Sequence, residues 1–170
     1  MIEIVPLSRI DVAAVEDLLD RAFGRDRIHR TAYKIRGDAP ALPALSFAAV
    51  EDGALLGSIQ SWPIALIADT GVASDLVMIG PVAVDPARQR DGIGRRLMTH
   101  MLAAAATTGC DDALMLIGDP DYYGRFFGFV ADATADWRLP GPVERHRLLA
   151  RGARVPRGAG MLGRRAVAPA

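Results

Sequence analysis

A single cysteine, Cys110, serves all 170 residues, which excludes an internal disulfide framework and fits a reducing, cytoplasmic setting. Flanked by Gly109 and Asp111, it reads as an inert thiol in a loop rather than a nucleophile. The three histidines, His29, His100 and His146, show no metal-ligand spacing, so no metal is expected. No apolar run approaches the ~20 residues that a membrane helix needs. Met1-Ile2-Glu3-Ile4-Val5 lacks the basic-then-apolar pattern of a signal peptide. An excess of charge is missing too, since 20 Lys and Arg balance 20 Asp and Glu. Long-range attraction to nucleic acid or an anionic membrane is therefore not expected, although the stretch from Arg145 onward is Arg-rich. The chain has no Gly-x-Ser-x-Gly elbow, no three-glycine dinucleotide fingerprint and no phosphate loop ending in Lys-Ser/Thr.

What is present is concentrated in one stretch. Leu76-Val77-Met78-Ile79 leads into Gly80-Pro81-Val82-Ala83-Val84-Asp85-Pro86, followed by Ala87-Arg88-Gln89-Arg90-Asp91-Gly92-Ile93-Gly94. Leu97, Met101 and Leu102 then recur at helical spacing. The pattern reads as a buried strand, a short turn and a helix opened by glycines. Such a helix start presents free N–H groups where the helix dipole favours negative charge. Gly92 and Gly94, lacking Cβ, let an anion lie against the main chain. The predicted ligand group is a phosphate or diphosphate.

The spacing Gln89-x-x-Gly92-x-Gly94 behind Val-Ala-Val-Asp-Pro resembles the acetyl-CoA motif of the GNAT N-acetyltransferase superfamily. Downstream, Ala113–Ile117 looks like the next strand, and Tyr122-Tyr123-Gly124-Arg125-Phe126-Phe127-Gly128-Phe129 is similar to the family's Tyr-x-x-x-Gly-Phe segment. Gly118-Asp119-Pro120 before it and Trp137–Pro142 after it resemble a bacterial branch of the family. The matched motifs span residues 75–142.

Around them the chain alternates strands and helices. A short strand at Ile2–Ile4 precedes a helix opened by Asp11 and stopped by Gly24, and a second helix is expected over Arg27–Ile35. Asp52-Gly53 marks a hairpin, its second arm running past Trp62 towards Ile67 with an irregularity at Pro63. Next come a strand over Leu76–Val84, a helix over Ile93–Thr108, a strand over Ala113–Ile117 and a short helix over Tyr122–Phe127. Strand pieces are expected near Phe129–Ala131, Ala135–Leu139 and Arg147–Ala150. The fold class is α/β (α+β). The resemblance implies one GNAT-like domain over residues 1–160, its mixed, mostly antiparallel sheet splayed at the central strands, with helices on both faces. Residues 161–170 read as a flexible tail.

The resemblance implies acetyl-CoA as acyl donor, with Val82, Ala83 and Val84 pairing their main chain with the pantetheine arm. Gln89, Arg90, Asp91, Gly92, Ile93, Gly94 and Arg95 would meet the diphosphate, with one arginine among Arg90, Arg95 and Arg96 on a phosphate. Tyr123 is the candidate general acid for the leaving thiolate. Tyr122 competes, because Tyr123 stands five steps before Gly128 where relatives have four. No strand glutamate is available as base; Asp75, Glu51 and Asp119 are the carboxylates to consider. Direct attack by a primary amine in a ternary complex is favoured over an acyl-enzyme. The acceptor, a small molecule or peptide rather than nucleic acid, is expected at Arg27–Ala44 and Ser61–Asp75; homodimers are common among relatives. The alternative is an acyl-CoA-binding or regulatory module of the same fold without efficient catalysis.

Overall fold

The computed structural model describes residues 1–166. In chain order it contains β1 (Glu3–Pro6), α1 (Val12–Phe23), α2 (Thr31–Arg36), β2 (Phe47–Glu51), β3 (Ala54–Ala68) and β4 (Ala73–Val84). Then come α3 (Ile93–Thr107), β5 (Leu114–Ile117), α4 (Pro120–Phe127), β6 (Trp137–Arg138), β7 (Leu148–Arg151) and β8 (Gly160–Arg164). The strand order is β1-β2-β3-β4-β5-β7, with β8 beside β3 and β6 beside β8. Antiparallel pairs join β1 to β2, β2 to β3, β3 to β8 and β5 to β7, while β4–β5 and β6–β8 are parallel. This is the mixed, mostly antiparallel sheet with helices that the sequence led us to expect. One departure from regular pairing is the register shift at Ala49–Val50 of β2, and another is at β4. Only Val77 and Met78 pair with Leu114 and Met115, and beyond them β4 runs on to Val84 without a β5 partner.

Contacts divide the chain into two compact units. The first comprises Met1–Ile28, Ala41–Ser61 and Ile79–Gly109. Its helix α1 is amphipathic and sets Val15, Leu18 and Leu19 against Ala83 of β4, with Leu7, Ile10, Phe23 and Leu55 around them. Asp11 caps α1 through the Ala13 amide and Gly24 ends it. The β2–β3 hairpin turns on Asp52 (φ 51°) and Gly53 (φ 78°), the paired left-handed residues of a tight turn that suits the right-handed twist of strands. Helix α3 buries Ile93, Leu97, Met98, Met101 and Ala105. Gly57 makes that packing possible, because a Cβ there would stand 2.8 Å from Ile93 Cγ2 and 3.1 Å from Leu97 Cδ1. Ser61 Oγ donates to Leu45 O and Ser46 Oγ to Leu42 O, both at 2.8 Å, so two buried hydroxyls satisfy the carbonyls of the loop before β2.

The second unit comprises His29–Pro40, Trp62–Met78 and the described residues from Cys110 onward. Its β5–β7 pair buries Leu114, Met115, Leu116, Leu148 and Leu149, and Phe129 and Trp137 are its largest fully buried side chains. Several elements differ from expectation. The helix expected over Arg27–Ile35 is broken: a 3-10 turn covers Arg25–His29, and α2 starts only after Arg30, whose ψ of 150° is extended. The break follows from Arg27, which is buried and held by Glu16 and Asp20. Residues Ser61–Asp75, where the acceptor is expected, are mostly strand, since β3 runs unbroken past the irregularity expected at Pro63 to Ala68 and β4 begins at Ala73. The strand piece near Phe129–Ala131 is a single bridge, Val130 to Ala150. The stretch read as a flexible tail, residues 161–170, contains all of β8 after Gly160, because the exposed flank of the long β3 accepts Gly160–Arg164 opposite Ile64–Ala68. Gly160 allows the approach: a Cβ there would come 2.7 Å from Ile67 O. The remainder of that tail, residues 167–170, lies outside the described residues.

Candidate functional site

Asp85 ends β4 and shapes the turn into α3. Its side chain accepts the Ala87 amide at 2.9 Å, setting a 3-10 turn over Pro86–Arg88. The Ala87 bond and then Arg21, at 2.8 Å from α1, hold the Asp85 carboxyl below the usual carboxylate range. Arg21 is fixed in turn by Asp17 at 2.9 Å. At the other end of the turn Arg88 reaches Asp91 at 2.5 Å and Glu51 of β2 at 3.1 Å. The segment between Asp85 and Gly92 is thus tied to α1 at its start and to β2 at its end.

Helix α3 then opens on Gly92 in the left-handed region, φ 73° and ψ 17°, with no side chain capping it. The Arg96 amide returns to Gly92 O at 3.1 Å. Among the described residues, the amides of Gly92, Ile93 and Gly94 donate to no protein acceptor. Nothing lies within 4 Å of a Cβ placed on Gly92, so an incoming group can approach the main chain there. Ile93 is fully buried and anchors the first turn, while Gln89, Arg90, Asp91 and Arg95 line the surface around it. Three unengaged donors at a helix start, with an open approach and no internal competitor, are chemically suited to an oxyanion or phosphate. Of the arginines expected to serve it, Arg96 is engaged with Ile2 O at 2.9 Å. In β4, Ala83 is buried and Val82 and Val84 are half-buried, and the Gly80–Pro81 peptide bond is cis.

Helix α4 of the second unit carries both tyrosines. Asp119 caps it by accepting the Asp121 amide at 2.9 Å, Pro120 occupies its first turn, and Gly128 closes it at φ 74°. Tyr123 stands within an aromatic group, its ring centroid 4.9 Å from Tyr122, 6.4 Å from Phe127 and 6.5 Å from Phe129. One face lies on Gly118, where a Cβ would fall 2.5 Å from Tyr123 Cε2. Burial pushes the Tyr123 phenol up to about 12, with Tyr122 and Asp119 adding to the rise and Arg147 opposing it. Its hydroxyl makes no hydrogen bond among the described residues. Tyr122 is also half-buried but is packed edge-on against Phe126 and Phe127 at 5.5 and 5.8 Å.

The three carboxylates considered as bases each have other partners. Glu51 pairs with Arg88, Asp75 with Arg165 at 3.5 Å, and Asp119 caps α4. His100 packs on Phe47 at 4.5 Å as a surface residue of α3. No group of three or more His, Cys, Asp or Glu among the described residues could hold a metal ion, and no helix among them is long and apolar enough to cross a membrane. The roles of Arg21, Arg88 and Gly118 escape sequence reading. Arg21 and Asp85 lie 64 residues apart, and no local spacing announces the contact. Gly118 leaves only a weaker signal, a glycine between a strand and the Asp119-Pro120 helix start.

Residues 12–129 match the model of the acetyltransferase (GNAT) family. A GNAT family acetyltransferase from Brucella melitensis, solved in complex with acetyl-CoA, is 27% identical with a TM-score of 0.67, over 94% of each chain. A GNAT family N-acetyltransferase from Escherichia coli, solved with CoA, is 24% identical with a TM-score of 0.70, over 95% of this chain and 88% of that one; it speaks for the fold. An uncharacterized N-acetyltransferase from Streptomyces avermitilis is 28% identical over 101 residues, 59% of this chain. The chain spans 24% of that curated relative's length.

Proposed function

Because this chain belongs to the GNAT acetyltransferase family, we propose that it transfers the acetyl group of acetyl-CoA to a primary amine by direct attack. The observation carrying this reading is the set of unengaged amides at Gly92, Ile93 and Gly94 beside an open approach. A diphosphate supplies the acceptors these donors lack, and the Brucella relative was solved with acetyl-CoA. Gln89, Arg90, Asp91 and Arg95 border the diphosphate. The main chain of Val82–Val84, without a β5 partner, takes the pantetheine arm as an added strand, and its N–H groups steady the oxyanion of the tetrahedral intermediate. Residues 1–160, together with β8, act as one acetyltransferase domain.

The amine nitrogen attacks the thioester carbonyl, the C–S bond breaks, and the departing thiolate takes a proton. Tyr123 supplies that proton and Tyr122 helps to keep it dry. A phenol near 12 is a weaker acid than a free thiol at ~8.5, but the dryness that raises the phenol also destabilises the thiolate, narrowing the gap. The carboxylates Glu51, Asp75 and Asp119 are engaged, so the acceptor loses its proton to water. The acceptor is a small molecule or peptide amine.

Thiol release measured with acetyl-CoA and a panel of amines tests this function. Acceptor-dependent release supports it. Thermal stabilisation by CoA with no release from any amine replaces it with a binding or regulatory module. Neither stabilisation nor release removes the coenzyme reading altogether.

A further inference from the structure

An anion receptor flanked by carboxylates is an electrostatic contradiction, and the first unit contains one. Asp91 immediately precedes the Gly92–Gly94 amides, and Glu51 lies close enough to share Arg88 with it. Two negative charges beside a diphosphate would oppose its binding. Arg88 is the cation that meets both, with Nε to Asp91 at 2.5 Å and Nη1 to Glu51 at 3.1 Å. Its planar fork suits two carboxylates at once, as a lysine ammonium on a flexible stem would not. The contact also reaches from the end of β2 to the end of the 85–92 turn, so it fixes where the turn hands over to α3.

We propose that Arg88 is a positioning residue for the coenzyme loop: it cancels the charges of Glu51 and Asp91 beside the Gly92–Gly94 amides and holds the turn, without touching phosphate. The inference rests on the acetyl-CoA reading above. It assigns no role to Arg90 or Arg95, and it explains how a loop with an acidic residue before its first glycine accepts an anion.

Calorimetric titration with CoA at low and high salt tests it. Arg88→Ala is expected to weaken CoA about tenfold at low salt, and less at high salt, where the exposed carboxylates are screened. Adding Asp91→Asn to Arg88→Ala is expected to recover most of the loss. Asp91→Asn alone removes a negative charge beside the diphosphate and should bind CoA more tightly than the parent at low salt, and Arg88→Lys should fall between parent and Arg88→Ala. If Arg88 instead contacts phosphate, Asp91→Asn will not rescue Arg88→Ala, and the proposal fails. It fails equally if Arg88→Ala binds CoA within about twofold of the parent. An unmutated protein that does not bind CoA overturns the coenzyme reading itself, an outcome separable from the others. Melting curves of each variant without CoA check folding, and if Arg88→Ala unfolds, Arg88→Lys with and without Asp91→Asn carries the same rescue test.

Discussion

The turn at Asp85–Gly94 and the helix that carries Tyr122 and Tyr123 are built on opposite plans. The turn works through main chain: exposed amides, a left-handed glycine, and ion pairs from Arg21 and Arg88 that keep the backbone in place. Helix α4 works through side chains: a phenol held by Phe127, Phe129 and the bare Cα of Gly118, with a cap at each end. A backbone receptor tolerates exchange of neighbouring side chains, because amides are present whatever the residue. A packed phenol does not, since its position depends on ring contacts and on a missing methyl group.

The sharpest way to break that contrast is to remove the hydroxyl alone. Tyr123→Phe keeps the ring contacts and is expected to lower kcat about 10²–10⁴-fold, the usual worth of a placed general acid. KM for acetyl-CoA should stay within about twofold, as measured with any amine the parent enzyme accepts. If Tyr122→Phe shows the large loss and Tyr123→Phe does not, the acid is Tyr122.

Displacing the phenol without removing it comes next. A methyl at Gly118 would overlap the Tyr123 ring, so Gly118→Ala forces the ring to move. We expect kcat to fall about 10–100-fold, as misplacement of a reacting group by an ångström does. CoA affinity should be unchanged by titration. A fall in CoA affinity equal to the fall in kcat would show that the two regions do not act separately.

The third effect is on stability. Burial raises the Tyr123 phenol from 10 to about 12 in the folded chain. The unfolded phenol therefore loses its proton first as pH rises, and the unfolded state gains. The contribution is fully present below about pH 10 and is lost between about 10 and 12, by about 1–3 kcal/mol. Denaturant unfolding of the parent and of Tyr123→Phe should coincide in slope below about pH 10 and diverge above it. For the same reason kcat should not decline for want of the acid below about pH 11.

These two plans explain what could be read from the residues. The turn was legible because the role proposed for it needs glycine at fixed positions and amides follow automatically; the spacing Gln89-x-x-Gly92-x-Gly94 carries all of that. The hairpin at Asp52-Gly53, the cap at Asp11 and the stop at Gly24 were legible for the same reason, since each is a local backbone requirement. Long-range contacts were not. Strand β8 depends on an open flank of β3 far earlier in the chain, and no periodicity in Gly160–Arg164 announces it. The break before α2 depends on carboxylates of α1 holding Arg27. In the turn itself the amides were foreseeable, whereas the clasp of Arg88 on Glu51 spans 37 residues and was not.

The smallest effect separates the two glycines of the turn. Gly92 has φ 73°, which costs an L side chain about 1 kcal/mol, although the space around its Cα is open. Gly94 is inside α3 at an ordinary helical φ, where alanine is preferred by about 1 kcal/mol. Gly92→Ala is therefore expected to lose about 1 kcal/mol, and where that loss appears is informative. A turn held rigidly by Arg21 and Arg88 keeps its geometry, so the strain lowers the melting temperature and leaves CoA affinity alone. A turn free to relax sheds the strain, and CoA then binds about fivefold more weakly, because the backbone must be pulled back to receive it. The ion pairs at both ends favour the first outcome. Gly94→Ala should instead raise the melting temperature, and any loss of CoA affinity there reports the methyl itself meeting the ligand. Paired melting and titration of the two variants thus separate backbone conformation from backbone access, the two properties for which a receptor made of amides uses glycine.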